Sequence, residues 1–327
     1  MLRAVAAGAA AVLAAAVLAG CGGDEPSAAP PRPPASTPTT APTSDAAVPG
    51  GDAGDPGADA SNLAQQAENL ARESGKPTSD IAPRDGEVLG ADVSWPQCPK
   101  GMGIPQKQGQ GLPMPTADAE YVVLGLTNGP AFTPNPCLAD QVAWVKQNDV
   151  LVSVYAVSSY PSKAALDDYG ADGPYDASTT LGRLRNVGYQ QARYNVGTMG
   201  KVGLVSPIVW LDVEPVPQFD WSPDLTANAA VIEGAARGYV DAGFKIGVYS
   251  TPHLYRTVVG DLTLGGVPEW RAAGQTSRAE ALDRCGPDWS IQGGPAVMGQ
   301  WVEQQRDLDV TCPGIAADLG QWFHRFT

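Results

Sequence analysis

Residues 208–215 read IVWLDVEP, an apolar, strand-like run that nevertheless contains two carboxylates. Alternate side chains of a β-strand share a face, so Asp212 and Glu214 are expected to lie side by side. Pro215 ends the run and places both acids near the carboxyl end of the strand. Two neighbouring carboxyls in a semi-apolar cleft repel each other, which is expected to raise one pKa and lower the other. A proton donor beside an ionised carboxylate is the pair that cleavage of a glycosidic bond requires.

A simpler interpretation is that both acids lie on a surface loop or pair with an arginine or lysine. Against this, the apolar residues Trp210, Leu211 and Val213 surround them, and none of the ten residues that follow is basic. We therefore favour a role in chemistry for Asp212 and Glu214.

Other acids occur in similar contexts. Asp92 ends the first apolar run, although an acid before Val-Ser also commonly forms an Asx turn or a helix cap. Asp307 and Asp309 are separated by one residue near the C-terminus and share one face if that stretch is extended.

Eight apolar segments are predicted as the strands that position these acids: 88–93, 120–127, 150–157, 207–213, 245–249, 267–273, 297–302 and 307–310. Helices are predicted over 138–148, 178–197, 224–242 and 252–259. Strands that are apolar on both faces and alternate with helices indicate a parallel sheet covered by helices. The predicted fold class is α/β, an irregular TIM-like (β/α) barrel, because there are eight strands but fewer than eight helices. In such barrels the active site lies at the carboxyl ends of the strands.

The caps of the helix predicted over 224–242 can also be proposed from the sequence. Asp224 or Ser222 is expected to cap its N-terminus, and Gly243 is expected to end it in the left-handed conformation.

Residues 1–85 differ in composition from the rest of the chain. Residues 1–20 carry one early charge, Arg3, and a continuous apolar run, which together predict a signal peptide. The stretch Leu18-Ala19-Gly20-Cys21 resembles a bacterial lipobox, so Cys21 is predicted to be lipidated; the alternative is an ordinary secretory signal.

Residues 21–85 are rich in Pro, Ala, Thr and Gly and are predicted to form a disordered tether, within which 62–74 has helical composition. Residues 86–327 form the predicted single globular domain. The expected location is outside the cytoplasm, with the chain anchored by lipid to the outer face of the cell membrane.

Four further cysteines, an even number in an exported chain, indicate two disulfides among Cys98, Cys137, Cys285 and Cys312. Three pairings are possible, and we favour Cys98–Cys137 with Cys285–Cys312 because these close the shortest loops.

Several function classes are disfavoured. The net charge of −14 argues against binding to nucleic acid or electrostatic docking on anionic lipid. Neither histidine, His253 or His324, lies near a cysteine pair with metal-ligand spacing, so no metal and no cofactor is expected. His253 also lacks a nucleophile elbow, which argues against a Ser-His-Asp hydrolase.

The ordered set of motifs resembles glycoside hydrolase family 25, the Chalaropsis-type lysozymes, and the related glycoside hydrolase-like secreted barrels of actinobacteria. The resemblance covers residues 87–312 and rests on DVSW (92–95), LDVE (211–214), GVYS (247–250), WRA (270–272), QW (300–301) and DLD (307–309). It implies an irregular (β/α) barrel that cleaves the glycan strand of peptidoglycan between N-acetylmuramic acid and N-acetylglucosamine.

The resemblance also implies catalytic roles. Glu214 matches the proton donor of the family, Asp212 its partner that orients or stabilises the reacting sugar, and Asp92 the acid of the first strand. The C-terminal acid matches Asp307, with Asp309 as the other alignment. The residues implied to contact the glycan are Tyr155, Tyr249, Trp270, Trp301, Gln300 and Asn128; each aromatic among them has a core position as its alternative.

Two features depart from the family pattern. Asn128 stands where the family commonly has Glu, and residues 98–118 form a Gly/Pro-rich insertion expected over the mouth of the barrel. The expected function is therefore a monomeric cell-envelope lipoprotein that hydrolyses a glycosidic bond in peptidoglycan or a related N-acetylated glycan. The alternative is a catalytically inactive, glycan-binding or envelope-organising lipoprotein on the same barrel. Its expected partners are the cell-wall glycan and, through Cys21, the membrane.

Overall fold

The structure is a computed structural model that describes residues 81–327. The predicted signal peptide, the lipidation of Cys21, almost all of the predicted tether and the helical segment 62–74 lie outside the described residues.

The centre of the fold is a closed barrel of eight strands. Its strands are β1 Leu89–Val93, β4 Tyr121–Gly125, β5 Leu151–Val157, β6 Ile208–Asp212, β7 Lys245–Ser250, β8 Glu269–Gln275, β9 Ala296–Glu303 and β10 Arg306–Thr311. Each corresponds to one of the eight predicted segments, and the α/β irregular-barrel prediction is confirmed.

One strand of the barrel runs in the opposite direction to the others. β10 is antiparallel to both of its neighbours, β1 and β9, whereas all other neighbouring strands are parallel. The start of β10 therefore lies at the barrel end where the other strands finish. Asp307, the second residue of β10, reaches the carboxyl end of the barrel for this reason.

The helices of the described region are α1 Leu138–Asn148, α2 Lys163–Tyr169, α3 Thr180–Val202, α4 Leu225–Asp241, α5 Pro252–Val259 and α6 Arg278–Asp283. The four predicted helices are present, and the short helices α2 and α6 were not predicted. Asp224 caps α4 by accepting hydrogen bonds from two backbone amides, and Gly243 follows its end with a φ of 87°. Within residues 81–327, none of the helices combines the length and apolar character needed to cross a membrane.

Apolar side chains fill both faces of the barrel wall. Along β4, Tyr121 and Val123 pack into the barrel interior with Trp210, while Val122 and Leu124 pack outward against the helices. This double burial explains why the strands are continuously apolar in the sequence.

Glycines allow α3 and α4 to pack in very close contact. A Cβ placed on Gly188 would lie 1.9 Å from the carbonyl oxygen of Val231, and one on Gly234 would lie 1.8 Å from that of Arg185. Any larger residue at either position must therefore push the two helices apart.

The structure contains both disulfides of the favoured pairing, Cys98–Cys137 and Cys285–Cys312. The first of them pins the insertion that follows β1. Within that insertion the chain forms a small antiparallel hairpin, β2 Gly103–Ile104 with β3 Lys107–Gln108. Residues 98–111 are called the insertion hairpin below.

Candidate active site

Five carboxyls are brought together at the carboxyl end of the barrel. Asp92 is the next-to-last residue of β1, Asp212 is the last residue of β6, and Glu214 lies in a bend two residues beyond it. Asp307 reaches the same end because β10 is reversed, and Asp309 lies two residues deeper on the same face. These five acids are called the carboxyl cluster below.

The carboxyl cluster has an upper and a lower layer. Glu214 and Asp307 are partly exposed, whereas Asp92, Asp212 and Asp309 expose 6%, 3% and 0% of their surface. None of the ion pairs found in residues 81–327 involves a member of the cluster. The partial exposure of Glu214 and Asp307 means that solvent reaches the upper layer. The burial of Asp212 and the lack of ion pairs to the cluster within the described residues do not support the interpretation of Asp212 and Glu214 as ion-paired surface residues.

Burial raises the pKa of every acid in the cluster. It is the largest cause at Glu214, whose pKa is raised to about 7; the charge of Lys107 lowers that pKa and the charge of Asp307 raises it. Burial, and then repulsion from Glu214, raise the pKa of Asp212 well above its ordinary value. The expectation that one member of the pair has a lowered pKa is therefore wrong, because loss of solvation raises the pKa of both acids and repulsion between carboxyls acts in the same direction.

A chain of hydrogen bonds orients Asp92. The hydroxyl of Tyr249 donates to Oε1 of Gln300 at 2.8 Å, and Nε2 of Gln300 donates to Oδ2 of Asp92 at 2.8 Å. Tyr249 and Gln300 thus lie inside the barrel beside the acids. Their polar side-chain atoms form the two hydrogen bonds of the chain that orients Asp92.

Trp270 forms the floor of the site. It is 1% exposed, its ring centre lies 4.4 Å from that of Tyr249 and 5.7 Å from that of Tyr155, and its Nε1 donates to Asp309 at 2.8 Å. Trp270 is therefore a core residue that supports the site, which corrects the expectation that it contacts a glycan. Tyr155 above it remains partly exposed, so a sugar-contacting role for Tyr155 stays a prediction.

Trp301 points away from the acids. Successive residues of a strand face opposite sides, so Gln300 and Trp301 cannot both face the interior. Gln300 does, and Trp301 packs on the outer face of the wall with Val310 and Ala281. The expectation that Trp301 lines the groove is wrong for this geometric reason.

Asn128 supports the insertion hairpin and has no exposed surface. Its Oδ1 accepts a hydrogen bond from the backbone N–H of Ile104 at 2.9 Å, and its Nδ2 donates to the carbonyl oxygen of Lys107 at 2.8 Å. Both ends of the amide are occupied by the protein, which corrects the expectation that Asn128 binds substrate.

Lys107 is the residue of the site that sequence reasoning missed. Its charge acts on Glu214, yet in the sequence it stands in a Gly/Pro-rich stretch with no local pattern. The available signal was Cys98, since a disulfide at the base of an insertion indicates that the insertion is held in place. In the described part of the chain, no group of three or more His, Cys, Asp or Glu residues is arranged to hold a metal ion.

Comparison with known proteins gives a sequence relative. Over 117 residues, which are 36% of this chain, the chain is 39% identical to the probable GH family 25 lysozyme 4 of Dictyostelium discoideum. The chain resembles glycoside hydrolase family 25. The match spans 49% of that relative's length, about half, and no protein-family model matches the chain.

Solved structures of a lysozyme and a muramidase are similar to this chain at low sequence identity. A bacterial lysozyme from Streptomyces coelicolor is 15% identical with a TM-score of 0.47, the match covering 73% of this chain and 99% of the lysozyme. A muramidase from Acremonium alcalophilum is 16% identical with a TM-score of 0.46, and the match covers 72% of this chain and 99% of the muramidase.

Proposed function

We propose that this chain is a cell-envelope glycosidase that hydrolyses a glycosidic bond in peptidoglycan or a related N-acetylated glycan. Glu214 acts as the proton donor. The observation that carries the proposal is the state of Glu214: partly exposed at the carboxyl end of the barrel, with a pKa raised to about 7. A carboxyl in this state keeps its proton near neutral pH and can deliver it to a leaving oxygen.

Asp212 is proposed to orient the reacting sugar. It ends β6 two residues before Glu214, and its buried Oδ1 has no hydrogen-bond partner within the described protein. An acetamido N–H of the substrate would satisfy this atom, because a buried acceptor without a donor is costly. Asp92, held by Gln300, and Asp307 line the remaining sides of the same cleft.

In the proposed reaction, the Glu214 proton moves to the glycosidic oxygen as the bond from that oxygen to the anomeric carbon breaks. The bonding electron pair leaves with the oxygen. The positive charge that develops on the sugar is stabilised by the neighbouring carboxyls once they are ionised. Water completes the hydrolysis and returns a proton to Glu214.

The test is the release of reducing ends from purified peptidoglycan and from a chitin-like glycan. The Glu214→Gln variant is expected to lose at least about 100-fold in rate, since general acid catalysis contributes that much or more. Glu303→Gln, which removes one exposed charge at the end of β9, is the matched control and is expected to retain activity. With a pKa of about 7 on the donor, activity is expected to fall as the pH rises through about 7.

A non-catalytic, glycan-binding role is the second candidate. It is favoured by the insertion hairpin and by Asn128 at the position where the resemblance implies an acid. Glycan binding without release of reducing ends, unchanged in Glu214→Gln, would establish this role and reject the glycosidase.

We further propose that Cys21 carries a lipid anchor at the outer face of the cell membrane, supported by the lipobox-like sequence before it. Metabolic labelling with a radioactive fatty acid tests this. Label in the wild-type chain that is lost in Cys21→Ser is the expected result, and equal labelling of both chains would reject it.

A further inference from the structure

The insertion hairpin is held in place by a disulfide at its base and by backbone hydrogen bonds along its length. The Cys98–Cys137 disulfide joins it to the start of α1, and the amide of Gly111 donates to the carbonyl of Cys98 at 2.9 Å. Across the hairpin, the amide of Gly109 donates to the carbonyl of Met102 at 2.7 Å. The hairpin is therefore a fixed part of the cleft and not a free loop.

Asn128 then places the backbone of Lys107. Its buried amide bonds Ile104 on one strand of the hairpin and Lys107 on the other. The contact is tight, because a Cβ on Gly103 would lie 2.5 Å from Oδ1 of Asn128. Two hydrogen bonds from one buried side chain fix the position of the lysine backbone.

The side chain of Lys107 lies close enough to Glu214 for its charge to act on that carboxyl. Its Nζ is 5.6 Å from the centre of the Trp95 ring, a cation–π distance. Nearby, a Cβ on Gly129 would be 3.2 Å from Ile104 of the hairpin and 2.9 Å from Phe219, which follows Glu214 in the loop after β6. The hairpin and the loop that bears Glu214 thus pack against the same glycine.

We propose that Lys107 is a positioning residue of the glycosidase, which stabilises the negative charge left on Glu214 after Glu214 has given its proton to the leaving sugar oxygen. The inference rests on the proposed function. In the donor step the O–H bond of Glu214 breaks, the proton moves to the glycosidic oxygen, and a carboxylate remains. That carboxylate forms beside other acids and needs a compensating positive charge.

The groups that face Glu214 come from four elements: β6, β7, β10 and the insertion hairpin. Asp212 on β6 and Asp307 on β10 are acids, and Tyr249 on β7 is a neutral phenol. In the part of the chain that the structure describes, Lys107 is the single cation whose charge acts on the carboxyl cluster. Removing this charge is therefore expected to raise the pKa of Glu214 above about 7.

The test uses the full-length chain in two independent measurements. The Glu214 carboxyl is titrated by ¹³C NMR, with its resonance assigned from Glu214→Gln, and the pH dependence of reducing-end release is recorded. In Lys107→Gln we expect both the titration midpoint and the alkaline limit of activity to rise by about half a pH unit or more. Lys107→Arg is expected to restore the wild-type values, and Lys100→Gln, at an exposed lysine of the same hairpin, is expected to leave them unchanged.

Asn128→Ala gives a second approach, because it releases Lys107 without removing the charge. It is expected to raise the titration midpoint of Glu214 in the same direction as Lys107→Gln. A midpoint in Lys107→Gln within about 0.2 pH units of wild type, in a folded protein, would overturn the inference. The NMR titration does not depend on turnover, so an inactive wild-type chain would reject the proposed glycosidase while still deciding whether Lys107 acts on Glu214.

Discussion

Glu214→Gln is expected to stabilise the fold at alkaline pH, and this can be measured without any substrate. The pKa of Glu214 is raised from an ordinary value of 4.5 to about 7. Between these values the folded state binds the proton more tightly than the unfolded state does. The contribution of Glu214 to the stability of the fold is therefore fully present below about pH 4.5 and is lost as the pH rises through about 7.

The size of the effect follows from the separation of the two pKa values. A difference of about 2.5 pH units, at about 1.4 kcal/mol for each, corresponds to about 3 kcal/mol of destabilisation at pH 8. Glutamine resembles the protonated carboxyl in shape and cannot ionise. The substitution should therefore be nearly neutral at pH 4 and stabilising by up to about 3 kcal/mol at pH 8.

The assay is urea unfolding of wild type, Glu214→Gln and the control Glu303→Gln at pH 4 and pH 8. The slope with denaturant should be the same for all three, so that midpoints report the free energy of unfolding. Glu303 is exposed, and its substitution is expected to change stability by less than about 0.5 kcal/mol at either pH. If the stability difference between Glu214→Gln and wild type were the same at both pH values, the raised pKa and the proton-donor role inferred from it would both be refuted.

Two further predictions concern the scaffold of the site. Replacing Cys98 and Cys137 together by serine opens a loop of 39 residues and should lower the free energy of unfolding by up to about 4 kcal/mol, measured by urea denaturation of oxidised protein. An unchanged midpoint would mean that the insertion is held by its hydrogen bonds alone. Gly188→Ala should cost more than about 2 kcal/mol in a thermal melt, because its Cβ would meet the carbonyl of Val231 at 1.9 Å. Gly197→Ala, on the same helix with open space around it, should instead raise the melting temperature.

The strands of the barrel could be predicted because burial on both faces makes each of them continuously apolar. The reversed direction of β10 could not. β9 and β10 are joined by Gln304 and Gln305, which have φ values of 50° and 61°. Tight hairpin turns with two positive φ values usually contain Asn, Asp or Gly. A pair of glutamines gives no such signal, so the hairpin was not apparent from the sequence.

The acids of the site were easier to predict than its walls. Asp92 and Asp212 each stand out because an acid in an apolar run is unusual. The two-residue period of a strand would also have shown that Gln300 and Trp301 face opposite ways. The burial of Trp270 beneath Tyr155 depends on side chains from several strands, which no local pattern in the sequence reports.

The two departures from the family pattern, Asn128 and the insertion, have one physical explanation. The hairpin presents a backbone N–H at Ile104 and a carbonyl at Lys107, and only a side chain with both a donor and an acceptor can bond the two. A carboxylate at 128 could accept from the first but could not donate to the second. The hairpin that Asn128 holds adds the positive charge of Lys107. This charge favours the ionised form of Glu214 and so opposes the burial that raises its pKa. The two departures therefore act together: Asn128 fixes the hairpin, and the hairpin carries the charge that limits the rise of the Glu214 pKa.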